Sequence, residues 1–126
     1  MWYFSNDKPV YAQVADEIML RIVSGVYKPG ERIPSVMELA EEARVNPNTI
    51  QKALSEIESG GYIVSLKTSG VFVTDDVQLI QSFRDSKTEK AIAAFASEME
   101  RLGVSIEESI EKLGDYCSRK NVKEES

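Results

Sequence analysis

At 126 residues, with 42% hydrophobic and 29% charged residues, the chain has the make-up of one domain with a modest core plus an appendage, which excludes global disorder. One cysteine, Cys117, and no histidine exclude an internal disulfide, leave no ligand set for a Cys/His zinc site and remove the commonest general acid/base. The net charge of −6 counts against a nucleic-acid binder, but Arg44 to Lys52 holds two positive charges and no acid, and Lys67 is the only charge from Ser59 to Thr74.

Pro9 to Ser24 reads as a first helix. Pro9 suits a first helical turn, and Tyr11, Val14, Ile18 and Ile22 fall on one face with Ala15 and Met19 beside them. Gly25 ends it, and 26–30 forms a turn. Ser35 to Arg44 is a second, short helix opened by a capping box, Ser35-Val36-Met37-Glu38, with Leu39, Ala40 and Ala43 buried. Asn46 as N-cap and Pro47 at the first position start a third helix, whose Ile50, Ala53, Leu54 and Ile57 define one buried face up to Gly60-Gly61. Two short β-like runs, Tyr62 to Leu66 and Val71 to Thr74, flank the turn Lys67-Thr68-Ser69-Gly70.

Helix, helix-turn-helix and hairpin in that order make a winged helix, and Asp75-Asp76 marks its edge. Beyond it, Val77 to Ser86 is expected to be helical, with Ser86-Lys87-Thr88 a possible break. Ile92, Phe95, Ala96, Met99 and Leu102 then repeat at helical spacing up to Gly103. Ser105-x-x-Glu108 is a second capping box, followed by a stripe of Ile106, Ile110, Leu113 and Cys117, and 121–126 are expected to fray. The fold class is therefore α+β, mostly α. Residues 1–76 form the winged helix-turn-helix, and 77–126 a small helical segment.

The third helix carries the chemistry. With its apolar face inward, Asn48, Thr49, Gln51 and Lys52 point outward near its N-terminus, where side chains of these types reach base edges and phosphates in a major groove. Pro47 shapes that end. Lys67, Thr68, Ser69 and Gly70 are candidates for a wing tip beside the duplex, against the plainer reading of a solvated turn. Cys117, Tyr11, Tyr27, Phe72 and Phe95 are expected to be core. Ile92, Phe95, Met99, Leu102, Ile106, Ile110 and Leu113 are too many apolar residues for a short tail to bury alone, so a second subunit is the expected cover. No phosphate loop, dinucleotide fingerprint or nucleophile elbow is present, so no enzyme, cofactor or metal site is expected. The N-terminus has neither the basic region nor the apolar stretch of a signal peptide, and no apolar run suits a membrane span, so the expected location is the cytoplasm.

The segments Pro9-Val10-Tyr11-Ala12-Gln13, Gly25 to Ser35, Val45 to Leu54 and Gly70-Val71-Phe72-Val73 resemble the GntR family of bacterial repressors, and the short tail resembles its YtrA branch. That resemblance implies a homodimer on a palindromic operator in double-stranded DNA, DNA contacts at Ser35, Asn46, Asn48, Thr49, Gln51, Lys52, Lys67 and Gly70, and a helical dimerisation tail without a large effector domain. It also implies an operon nearby, often of transporter genes. Two departures stand out: Met37 where the family has Arg, and Thr68-Ser69-Gly70 where it has Gly-x-Gly. Whether a small effector exists is left open. The rival reading is a winged-helix module for protein–protein assembly, favoured by the acidic balance and the two departures.

Overall fold

Five residues at helical spacing, Val14, Ala15, Ile18, Met19 and Ile22, line the inner face of α1 (Val10–Val23) and are all buried. In the computed structural model, which describes residues 2–125 and the side chains of 2–121, Pro9 is the N-cap of this helix rather than part of its first turn. Its ring cannot cap, but its carbonyl accepts from Ala12 and Gln13. Gln13 in turn fastens the N-terminal tract, accepting from the Ser5 backbone at 2.8 Å and donating to the carbonyls of Ser5 and Lys8. Trp2 is clamped further along. Its indole N–H donates to Glu42 at 2.7 Å, and the Arg21 guanidinium lies 4.8 Å above its ring while bonding Glu42 and the Tyr27 hydroxyl.

The expected capping box opens α2 (Val36–Ala43). Ser35 Oγ accepts from the Glu38 N–H, and Glu38 accepts from the Ser35 N–H, both at 3.1 Å. Arg44, in the left-handed region at φ 58°, is the C-cap, so the helix ends at Ala43, its last buried position and one residue before the expected limit. Two residues later Asn46 Oδ1 accepts from the Asn48 N–H at 2.8 Å and starts α3 (Pro47–Ser59), with Pro47 at N1. Ile50, Ala53, Leu54 and Ile57 of α3 pack on α1 and α2.

The hairpin pairs β1 (Ile63–Leu66) with β2 (Gly70–Val73) antiparallel, Ile63 opposite Val73 and Leu66 opposite Gly70. A two-stranded hairpin alone is marginal in water. Here Ile63 and Val73 are buried in the core, and β2 gains a second neighbour on its other edge. Arg32 bridges to Phe72, with Ile33 N–H to the Val71 carbonyl and Val73 N–H to the Glu31 carbonyl, both at 2.9 Å. The sequence patterning did not point to this extra pairing.

Asp76 caps α4 (Val77–Arg101) through the Leu79 N–H at 3.1 Å. The helix expected from Val77 runs on through Ser86-Lys87-Thr88, where the sequence left a break open. None of the three is Gly or Pro, and Thr88 returns its hydroxyl to the Asp85 carbonyl at 3.0 Å, a bond compatible with a continuous helix. The chain falls into two compact units, Met1–Arg84 and Asp85–Ser126. The first includes the opening turns of α4, where Ile80 is buried and the Phe83 ring meets Tyr62 edge-on at 5.3 Å. The second holds the remainder of α4 and α5 (Ile106–Glu125). Gly103, at φ +77°, closes α4 by letting Val104 N–H reach the Met99 carbonyl at 2.9 Å. Only half of the second capping box forms: Ser105 Oγ accepts from the Glu108 N–H, while the Glu108 carboxylate lies 3.8 Å from Lys112. α5 continues through Glu125, so 121–125, expected to fray, are helical; Ser126 lies outside the described residues. Among the described residues no helix is long and apolar enough to cross a membrane.

Candidate nucleic-acid interface

The N-terminal end of α3 is built to face outward. The Asn46 cap and Pro47 fix its start, and the buried stripe from Ile50 to Ile57 fixes its rotation. That leaves Asn48, Gln51 and Lys52 exposed and Thr49 and Pro47 half-buried, with no acid in the first turn. Asn46 is exposed but spends its side-chain oxygen on the cap, so its amide nitrogen is what remains to offer. Gln51 shares a shallow depression with Val36 at the start of α2, with Ser55 and Glu58 further along α3, and with Ser65 and Val71 of the two wing strands. One surface therefore joins the start of α2, the outer face of α3 and the wing. Glu58 fastens the wing to α3 by accepting from the Ser65 hydroxyl at 2.6 Å.

The remaining sequence-derived residues divide. Lys67, Thr68 and Ser69 are exposed at the hairpin tip, and Met37 is 66% exposed with no packing role of its own. Ser35 is committed to the capping box. The Ser35 N–H, assisted by its hydroxyl and the positive charge of Arg32, holds the Glu38 carboxyl below its ordinary range, with slight desolvation opposing. Lys52 is not a free cation on the helix surface: its ammonium sits 4.0 Å from the centre of the Tyr11 ring. Tyr11, expected in the core, is half-buried and serves as that platform, and Phe72 is half-buried as well, whereas Tyr27 is buried as expected.

Two residues escaped the sequence reading. Arg32 lies across Gly70, where a Cβ would stand 2.6 Å from its Nε, so the half-buried Gly70 is the seat of an arginine rather than an open wing tip. Alternation offered a faint signal, because Ile33 points in and its neighbour must point out. The Tyr11–Lys52 contact joins two helices and leaves no local trace in the sequence.

In the second unit, Ile92, Phe95, Met99, Ile106, Ile110 and Leu113 line one apolar groove of about 680 Å³, while Leu102 is exposed and is not part of its lining. Phe95 and Cys117, expected in the core, are exposed, because α4 and α5 alone do not supply enough surface to cover them. Among the described residues no cluster of His, Cys, Asp and Glu suits a metal ion.

A family profile described as bacterial regulatory proteins, gntR family, matches residues 10–73. The HTH-type transcriptional regulator YhcF of Bacillus subtilis is 36% identical over 90% of this chain and 93% of its own length. The transcriptional repressor YtrA of the same organism is 36% identical over 58% of this chain and 56% of its own length. A GntR family regulator from Listeria monocytogenes, 34% identical, superposes with a TM-score of 0.81 over 89% of this chain and 98% of its own. The DNA-binding domain of AraR, solved with its operator, is 35% identical, with a TM-score of 0.53 over 59% of this chain and 90% of its own.

Proposed function

The chain belongs to the gntR family of bacterial regulatory proteins, in a form that fits its YtrA-like branch, and from that premise we propose that it is a cytoplasmic repressor that binds a palindromic operator as a homodimer. It is a DNA-binding transcriptional regulator, as its family is. The observation that carries the finer reading is the capped, acid-free start of α3 beside the start of α2 and the wing. In this reading α3 enters the major groove, with Thr49 and Gln51 reading base edges and Asn48 and Lys52 meeting the backbone. Asn46 and Ser35 hold the two helix starts in place, and Lys67, Thr68 and Ser69 follow the flanking strand. The start of α3 and the hairpin carry no acid although the whole chain carries −6, which favours DNA over the rival assembly role.

Residues 77–126 act as the dimerisation segment. The apolar groove between Ile92 and Leu113 fits a second copy, since each copy brings the same uncovered stripe. Repression is steric, two recognition helices covering successive major grooves of a promoter close to the regulator's own gene. Selection from a random duplex pool tests this: it should return an inverted repeat, and Thr49→Ala and Gln51→Ala should each lose about 1–3 kcal/mol on that site. A pool that returns no motif at low salt overturns the reading.

A further inference from the structure

Arg32 stands apart from the residues that α3 presents. Its backbone is bridged to Phe72, and its neighbour Ile33 is buried, so its Cα is fixed on the sheet edge. Its side chain lies across Gly70, where a Cβ would be 2.6 Å from Nε and 3.3 Å from Cζ. Gly70 has φ +115°, which L side chains rarely adopt, so the seat is open for two independent reasons. Among the described residues the Arg32 guanidinium makes no hydrogen bond and no ion pair, and the residue is exposed. A guanidinium laid along Gly70 and engaged by no hydrogen bond or ion pair, with the Glu38 carboxylate as its charged neighbour, is poised for an external acceptor.

The local charge says which one. Residues 31–38 and 58–73 contain two cations, Arg32 and Lys67, and three acids, each of whose carboxylates already accepts a hydrogen bond: Glu31 from the Lys28 N–H, Glu38 from the Ser35 N–H and Glu58 from the Ser65 hydroxyl. Met37 brings no charge. An anion approaching between the wing and the start of α2 therefore meets Arg32.

We propose that Arg32 is a DNA-backbone contact whose guanidinium, seated on Gly70 between the wing and α2, takes the oxygens of a phosphate flanking the major groove. The inference rests on the reading of α3 as the recognition helix. A contact to the side of that helix falls on phosphate rather than on a base edge, and the planar fork of arginine matches two phosphate oxygens.

The test titrates wild type, Arg32→Met, Arg32→Lys and Gln51→Ala against the selected duplex and a scrambled one at several salt concentrations, beside thermal melts. Arg32→Met keeps a stem to lie on Gly70 but no charge. It should bind both duplexes about tenfold more weakly at low salt, with a salt slope shallower by about one per chain and an unchanged melt. Arg32→Lys should retain most of the slope, and Gln51→Ala should weaken the selected site alone. If Arg32→Met binds like wild type while Gln51→Ala loses the selected site, the Arg32 contact is refuted and the recognition helix stands. If Arg32→Met lowers the melting temperature and Arg32→Lys does not recover the slope, Arg32 is only a brace for the wing and the proposal falls. If neither Arg32→Met nor Gln51→Ala changes binding, the recognition-helix reading fails and takes the proposal with it.

Discussion

Glu38 shows how one side chain links titration to the shape of the interface. Its carboxylate accepts from the Ser35 N–H and its own N–H donates to Ser35 Oγ, so the start of α2 is closed by two reciprocal bonds. The first of these favours the ionised carboxylate and depresses its pKa below the usual 4.5. A depressed acid contributes stability above its unfolded-state value and loses it as pH falls through the folded one. Acidification below pH 4.5 should therefore loosen the start of α2. Glu38→Gln should flatten that part of the pH dependence, read as melting temperature against pH from neutral to acid. An unchanged slope in the variant would remove the capping box as the cause.

At the scale of elements, α3 depends on how its first turn is closed. Asn46→Ala removes the acceptor for the Asn48 N–H and should cost about 1 kcal/mol by thermal melt, with operator affinity falling beyond what unfolding explains, because the side chains around Thr49 lose their aim. An unchanged melt would mean that Pro47 alone fixes the helix start. The first three helices and the hairpin were legible because their signals are local: a buried residue every three or four positions, Ser35 and Asn46 at caps, Gly60-Gly61 and Gly70 at turns. The single-residue bridge of Arg32 to Phe72 was not, since one paired residue has no period. Lys52 was correctly placed on the outer face, but its seat on Tyr11 depends on two helices meeting. Whether α4 runs past Ser86-Lys87-Thr88 stays open in the sequence because moderate helix formers mid-helix weaken it without ending it. Phe95 and Cys117 were placed inside because periodicity identifies an apolar face and says nothing of what covers it.

For the whole molecule, the end of the DNA-binding unit decides how the chain can be cut. Ile80 is buried in the core and Phe83 packs against it, so the first turns of α4 belong to the winged helix. Truncation after Arg84 should leave a folded unit that sediments as a monomer and binds the operator some 10²–10⁴-fold more weakly, because bivalent engagement is lost. A truncated chain that still dimerises would place the subunit contact elsewhere. Truncation after Asp76 should instead strip cover from Tyr62 and lower the melting temperature. Trp2 offers a means of watching this. It is the one tryptophan of the chain, held between the Arg21 guanidinium and the Glu42 carboxylate. Excited selectively, its fluorescence reports on the first unit alone, since both partners leave the indole when that unit unfolds. Amide circular dichroism sums the helices of both units. Superimposed melting curves from the two signals would mark one cooperative transition, while a displaced pair would mark a DNA-binding unit that melts independently of the C-terminal helices.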